Sequence, residues 1–143
     1  MFFGENYHSL DEKGRVILPS KFREALTDGL FITKSFDNCL LIYTKKDWFE
    51  LVDKVSSLPT SRASVRNFQR FLIGSAVEGD VSRQGRISIP QNLREFAGLD
   101  KDIVIVGVAN KIEIWAKERY EGFIANAEQA RSEIAEEIAE FGV

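Results

Sequence analysis

The chain has 143 residues, 44% of them apolar and 29% charged, with 19 Lys and Arg against 22 Asp and Glu for a formal net charge of −3. That balance fits one ordinary globular domain or two very small ones; it excludes a disordered chain, and no apolar run approaches the roughly 20 residues of a membrane span. One cysteine, Cys39, supports neither an internal disulfide nor a cysteine metal site, and Met1–Asn6 lacks the basic start and apolar run of a secretory signal, so the cytoplasm is the expected compartment.

In chain order, Asp11–Glu24 (DEKGRVILPSKFRE) is repeated as Ser82–Glu95 (SRQGRISIPQNLRE). Gly14/Gly85, Arg15/Arg86, Pro19/Pro90, Arg23/Arg94 and Glu24/Glu95 are identical, and Val16/Ile87, Leu18/Ile89 and Phe22/Leu93 keep their apolar character. After a short gap Leu30-Phe31-Ile32 answers Ile103-Val104-Ile105, and Leu40–Tyr43 answers Ile112–Trp115, each followed by a further aromatic, Trp48 or Tyr120. Each copy reads as strand, Gly turn, strand, short helix and hairpin. The glycines stand where a tight turn needs positive φ, and the prolines stop a strand and open helices over Ser20–Leu26 and Gln91–Phe96. Hairpin turns are expected at Phe36-Asp37-Asn38 and Ala109-Asn110. Units of this kind, residues 5–47 and 76–119, are too small to bury separate cores and must pack together or interlock.

Residues 48–75 read as two linking helices broken at Leu58-Pro59-Thr60, the second carrying Arg62, Arg66 and Arg70 as a basic stripe. Residues 120–143 space Tyr120, Phe123, Ile124, Ala127, Ala130, Ile134, Ile138 and Phe141 three or four apart, which predicts one amphipathic C-terminal helix with an acidic outer face. Lys117–Val143 holds seven acids and three bases, whereas Lys54–Val77 holds four bases and no acid. The Arg62/Arg66/Arg70 stripe has two readings, a phosphate path or a partner for Glu133, Glu136, Glu137 and Glu140 of the tail; matching spacing favours the second.

An inventory of reactive groups finds no nucleophile, base and orienter together, so no catalytic residue is assigned and a non-enzyme is expected. His8 is the sole histidine, Cys39 sits in an apolar strand run, and neither a P-loop nor a Gly-x-Gly-x-x-Gly is present; no metal and no cofactor are expected. The turns are more informative. Lys13-Gly14-Arg15 and Arg83-Gln84-Gly85-Arg86 put long basic side chains on two equivalent β-turns, and basic β-ribbons are one way to read a DNA major groove. Solvated hairpin turns are also often basic, so the pattern by itself leaves that alternative open. Asp11, four residues before Arg15, is placed to aim its guanidinium.

The duplicated unit, the opening Met1-Phe2-x-Gly4, Leu10-Asp11-x-x-Gly14-Arg15-x-x-x-Pro19, and Val106-Gly107 followed by Ile112-Glu113-Ile114-Trp115 resemble the MraZ family of bacterial transcriptional regulators. The resemblance spans nearly the whole chain. It implies an α+β fold with a duplicated AbrB-like (SpoVT-AbrB) swapped-hairpin β-barrel flanked by helices, assembly into a ring-like homo-oligomer, and repression through double-stranded DNA at promoter direct repeats of a division and cell-wall gene cluster, in the nucleoid. It implies no membrane and no small-molecule substrate. The family's Asp-x-x-x-Arg signature fits Asp11 and Arg15; in the second copy Arg86 is present but Ser82 replaces the Asp, with Asp80 two residues earlier. The expected DNA-binding residues are therefore Arg15, Arg86, Asp11, Lys13 and Arg83. An antitoxin-type protein-partner module working through the C-terminal helix is the alternative.

Overall fold

Short apolar runs bounded by turn residues become strands, and runs with helical spacing become helices. The computed structural model describes Met1–Val143, with strands β1 (Phe2–Ser9), β2 (Arg15–Ile17), β3 (Leu30–Lys34), β4 (Leu40–Thr44), β5 (Val77–Gly79), β6 (Arg86–Ser88), β7 (Asp102–Ala109) and β8 (Lys111–Ala116). The helices are α1 (Ser20–Arg23), α2 (Lys45–Ser56), α3 (Ala63–Leu72), α4 (Gln91–Ala97), α5 (Lys117–Gln129) and α6 (Arg131–Ala139). Pro19 and Pro90 directly precede α1 and α4; α1 tightens into a 3₁₀ turn over Glu24–Leu26, completing the predicted Ser20–Leu26 segment. The predicted hairpin turns carry positive φ at Asn38 and Ala109.

Six strands form an antiparallel sheet in the order β1-β7-β8-β4-β3-β5, and β2 and β6 form a separate antiparallel pair. The fold is thus mixed α+β. The sheet order exchanges strands between the halves: β1 of the first lies on β7 of the second, and β5 of the second lies on β3 of the first. The central β4–β8 pairing closes the exchange, with Leu40 opposite Ile114 and Ile42 opposite Ile112. The main core belongs to neither half alone. One cluster of 17 buried residues takes Val16, Leu18, Phe22 and Ile32 from the first half and Ile87, Ile89, Leu93 and Ile105 from the second. Burying such an aliphatic side chain fully is worth about 1.5–3 kcal/mol relative to leaving it in water, so the shared cluster makes the halves mutually dependent.

Strand β4 reads Leu40-Leu41-Ile42-Tyr43 without alternation because both of its faces are covered. Leu40 and Ile42 enter the shared core, while Leu41 and Tyr43 join Trp48 and Val55 of α2 and Leu72 of α3 in a second cluster. Thr44 caps α2 four residues before Trp48, its hydroxyl accepting from the Asp47 N–H at 3.1 Å. The tail departs from the single amphipathic helix that its spacing predicts. It begins at Lys117 and breaks at Ala130 (φ −93°, ψ 11°) into α5 and α6, and only Tyr120 of the two helices is buried. The break has no helix-breaking residue behind it; what the tail lacks is a surface of its own chain against which to lay its apolar stripe.

Candidate nucleic-acid interface

Each Gly turn is closed by the same backbone pattern. The Asp11 N–H donates to the Arg15 carbonyl at 2.8 Å and the Gly14 N–H to the Asp11 carbonyl at 3.0 Å; in the second copy Ser82 and Arg86, then Gly85 and Ser82, repeat both bonds at 2.9 Å. Gly14 and Gly85 hold φ at +75° and +79°, which L side chains rarely adopt, so both turns need glycine. A second constraint adds to this. A Cβ on Gly14 would collide with the Arg94 guanidinium, and one on Gly85 with that of Arg23. Each half therefore supplies the arginine that supports the turn of the other.

The side chains at the two turns differ. Asp11 Oδ1 accepts the backbone N–H groups of Lys13 and Arg15, both at 2.9 Å, and Oδ2 accepts Arg15 Nε at 2.9 Å. The Arg15 N–H, against slight desolvation, and then the Arg15 guanidinium and the Lys13 N–H hold the Asp11 carboxyl below the usual carboxylate range. An exposed pair of this kind adds little stability; it fixes where the guanidinium points. Ser82 reproduces only the backbone half, its hydroxyl accepting the Arg86 N–H at 3.1 Å. Asp80 is exposed and forms no ion pair with Arg86, which leaves the second guanidinium without a carboxylate guide.

The strands behind the turns pair with one another. Arg15 lies opposite Ser88, Val16 opposite Ile87 and Ile17 opposite Arg86, and the Leu18 and Ile89 N–H groups extend the ladder to the Gly85 and Gly14 carbonyls at 2.9 Å. Side chains alternate across a strand, so Val16 and Ile87, each 1% exposed, face the core, and Arg15, Ile17, Arg86 and Ser88 share the outer face. Arg15 and Arg86 are two residues apart along this ribbon, roughly 7 Å. Lys13 and Arg83 are exposed in the turns at its two ends. Of the five sequence-predicted site residues, Arg15 and Arg86 thus lie in one two-stranded ribbon, and Asp11, Lys13 and Arg83 stand in the turns that lead into it. Sequence reasoning missed Ile17, 43% exposed directly opposite Arg86, and the supporting pair Arg23 and Arg94. The identity of Arg23 and Arg94 at the repeat offset was the available signal. Arg23 Nε donates to the Leu18 carbonyl at 2.9 Å, whereas the buried Arg94 Nε has no partner within the chain.

The remaining candidates have other roles. Burial, opposed by the contact with the Ser35 hydroxyl, pushes the Cys39 thiol up to about 12, so it packs in the protonated form. His8 is half-buried on β1, its pKa lowered by burial and by Arg23. Arg66 donates to the Thr60 and Ser61 carbonyls, at 2.9 and 3.1 Å, and Arg70 to Asn67 Oδ1 at 2.9 Å. The anticipated pairing of the Arg62/Arg66/Arg70 stripe with the tail acids does not form within the chain, because α5 packs over β7 and β8 while α3 packs over β3.

Fold and ribbon define a class: two copies of one β-rich unit, locked by strand exchange, presenting a paired basic ribbon. The family model described as "MraZ protein, putative antitoxin-like" matches twice, over residues 1–71 and 72–141. The chain is 46% identical over 143 residues to "Transcriptional regulator MraZ" of Natranaerobius thermophilus and 48% identical over 143 residues to the protein of that name from Acetivibrio thermocellus, each alignment covering 100% of both chains. Its likeness to the Desulforamulus reducens protein of the same name is 47% over 140 residues, 98% of this chain and 99% of that one. The chain belongs to the MraZ family.

Proposed function

We propose that this chain is a sequence-specific DNA-binding transcriptional regulator, a repressor, that engages promoter direct repeats as a ring-like oligomer in the nucleoid of the cytoplasm. The observation that carries the reading is the outer face of the β2–β6 ribbon. Two arginines spaced by about two base-pair steps project from a rigid two-stranded element, the form that enters a major groove. Arg15, steered by Asp11, donates two hydrogen bonds to one guanine, a contact worth about 1–3 kcal/mol of discrimination. Arg86 takes a second base with less preorganisation, Lys13 and Arg83 lie on phosphates, and Ile17 meets a thymine methyl. The names of the relatives, transcriptional regulators, support the same reading.

In this reading the repeated units are residues 5–47 and 76–119, and the exchange of β1 and β5 between halves supports a pseudo-symmetric AbrB-like barrel. Assembly accounts for a DNA-binding chain whose net charge is −3. One ribbon binds weakly, but linked ribbons on repeated sites gain about 10²–10⁴ in avidity. A protein-partner module is the second reading, favoured by the exposed Ile134 and Ile138 of the tail. Fluorescence anisotropy on duplexes with one to four G-rich direct repeats, across a salt series, separates the two. Affinity that climbs steeply with repeat number and collapses in Arg15→Ala supports the regulator. Affinity that is flat with repeat number, or untouched by Arg15→Ala, overturns it.

A further inference from the structure

Two surfaces of the chain lack partners and complement each other. The first surrounds α3. Phe36, 78% exposed at the tip of the β3–β4 turn, stacks within 15° of parallel on Phe68 and Phe71 of α3, with ring centroids 5.6 and 5.4 Å away. Beside this stack a cleft of about 260 Å³ runs down to Leu41, Tyr43 and Leu51. Lys34 Nζ lies 6.0 Å from the Phe71 ring centroid, and Arg62, Arg66 and Arg70 follow the same helix without any carboxylate partner. The second surface is the tail. Ile134, Ile138 and Phe141 are 43%, 40% and 71% exposed and fall on one face of the α6 segment by their spacing of four and three. Glu133, Glu137 and Glu140 repeat that spacing one residue earlier, and Glu133–Val143 contains no base.

Within the chain the tail leaves α3 uncovered: Ile134, Ile138 and Phe141 stay exposed, and no tail acid pairs with Arg62, Arg66 or Arg70. The tail's root lies on the same face of the sheet as α3 but over β7 and β8, where the Tyr120 hydroxyl donates to Glu5 and the Trp115 ring meets Phe123 at 4.9 Å. We propose that α6 of one copy docks on the α3 surface of a second copy. Ile134, Ile138 and Phe141 cover the Phe36/Phe68/Phe71 stack, and Glu133, Glu137 and Glu140 pair with the Arg62/Arg66/Arg70 stripe. Because giver and receiver are different surfaces, the contact is head-to-tail and propagates from copy to copy, closing into a ring when the rotation permits. The inference rests on the reading of the chain as a self-assembling DNA-binding protein and names the contact that does the assembling.

Light scattering after gel filtration, on the full chain at fixed concentration, tests it. Wild type should elute as a multi-subunit species. Ile138→Asp with Phe141→Asp should reduce it to single chains with helical circular dichroism retained, since both side chains are exposed in the isolated subunit. Arg62→Glu with Arg70→Glu, or Glu133→Lys with Glu137→Lys, should each weaken assembly by at least tenfold in subunit affinity, and the combined reversal should restore it. Unchanged assembly in the Ile138/Phe141 variant, a single-chain wild type, or no rescue by the combined reversal would overturn the proposal. Single-repeat binding, read in parallel, should survive in the single-chain variant. Its absence in wild type defeats the DNA-binding reading and leaves the docking contact standing.

Discussion

The two Gly turns share a backbone and differ in one side-chain function. At Asp11 a carboxylate gathers two backbone N–H groups and the Arg15 guanidinium; at Ser82 a hydroxyl takes one backbone N–H and leaves the Arg86 guanidinium unguided. The comparison separates two tasks that an Asp-x-x-x-Arg turn combines. Capping the turn requires only an acceptor four residues before the arginine, which serine supplies. Aiming the arginine requires the charge. Preorganisation lowers the entropy lost when a guanidinium is immobilised on a base, so the first turn should contribute more to affinity than the second.

The largest expected departure comes from converting the first turn into the second. Asp11→Ser should keep the fold and cost about tenfold in affinity for repeat DNA, roughly 1.4 kcal/mol, measured by anisotropy. If affinity is unchanged, the carboxylate does not aim Arg15. Next, Gly14→Ala and Gly85→Ala should each lower stability by about 1 kcal/mol, because alanine resists the positive φ of both turns. Thermal unfolding should register the two losses as similar. A large inequality would show that the turns are not structurally equivalent. The reverse conversion, Ser82→Asp, should raise affinity about two- to fivefold by guiding Arg86, an upper bound set by the modest strength of exposed pairs.

The smallest effect concerns the first half alone, where His8 on β1 occupies the repeat position that Gly79 fills in the second. Burial and Arg23 lower the folded-state pKa of His8, so protonation favours the unfolded chain. Stability should therefore decline slightly as pH falls below the unfolded value of about 6.5, from about pH 7 to pH 5. His8→Gln should flatten that part of a Tm–pH series. A decline of the same size in the variant would assign the effect to other groups.

Much of the site was legible because it is local. Gly14 and Gly85 mark turns, Pro19 and Pro90 mark helix starts, and the offset of Arg15 from Arg86 is visible by comparing two segments of one chain. The pairing of β2 with β6 is not local. It joins three-residue strands about 70 positions apart, with no periodicity that specifies a partner, so the shared outer face of Arg15, Ile17, Arg86 and Ser88 emerges only in the folded chain. Likewise the repeat marks Arg23 and Arg94 as equivalent without naming their contacts, while the folded chain sets each against the glycine of the opposite half. The tail failed for another reason. Its spacing is helical throughout, but Ala130 interrupts it where no tertiary surface holds the two segments in line.

The most direct test of the ribbon as the reading element is a double-mutant cycle. Arg15→Ala, Arg86→Ala and the pair would be titrated by anisotropy against a two-repeat duplex and a scrambled one. Arg15→Ala should lose the larger share of specific affinity and Arg86→Ala a smaller one, and the pair should bind both duplexes alike. Two neutral single variants, or a pair that still prefers the repeats, would contradict the assignment of DNA reading to this ribbon.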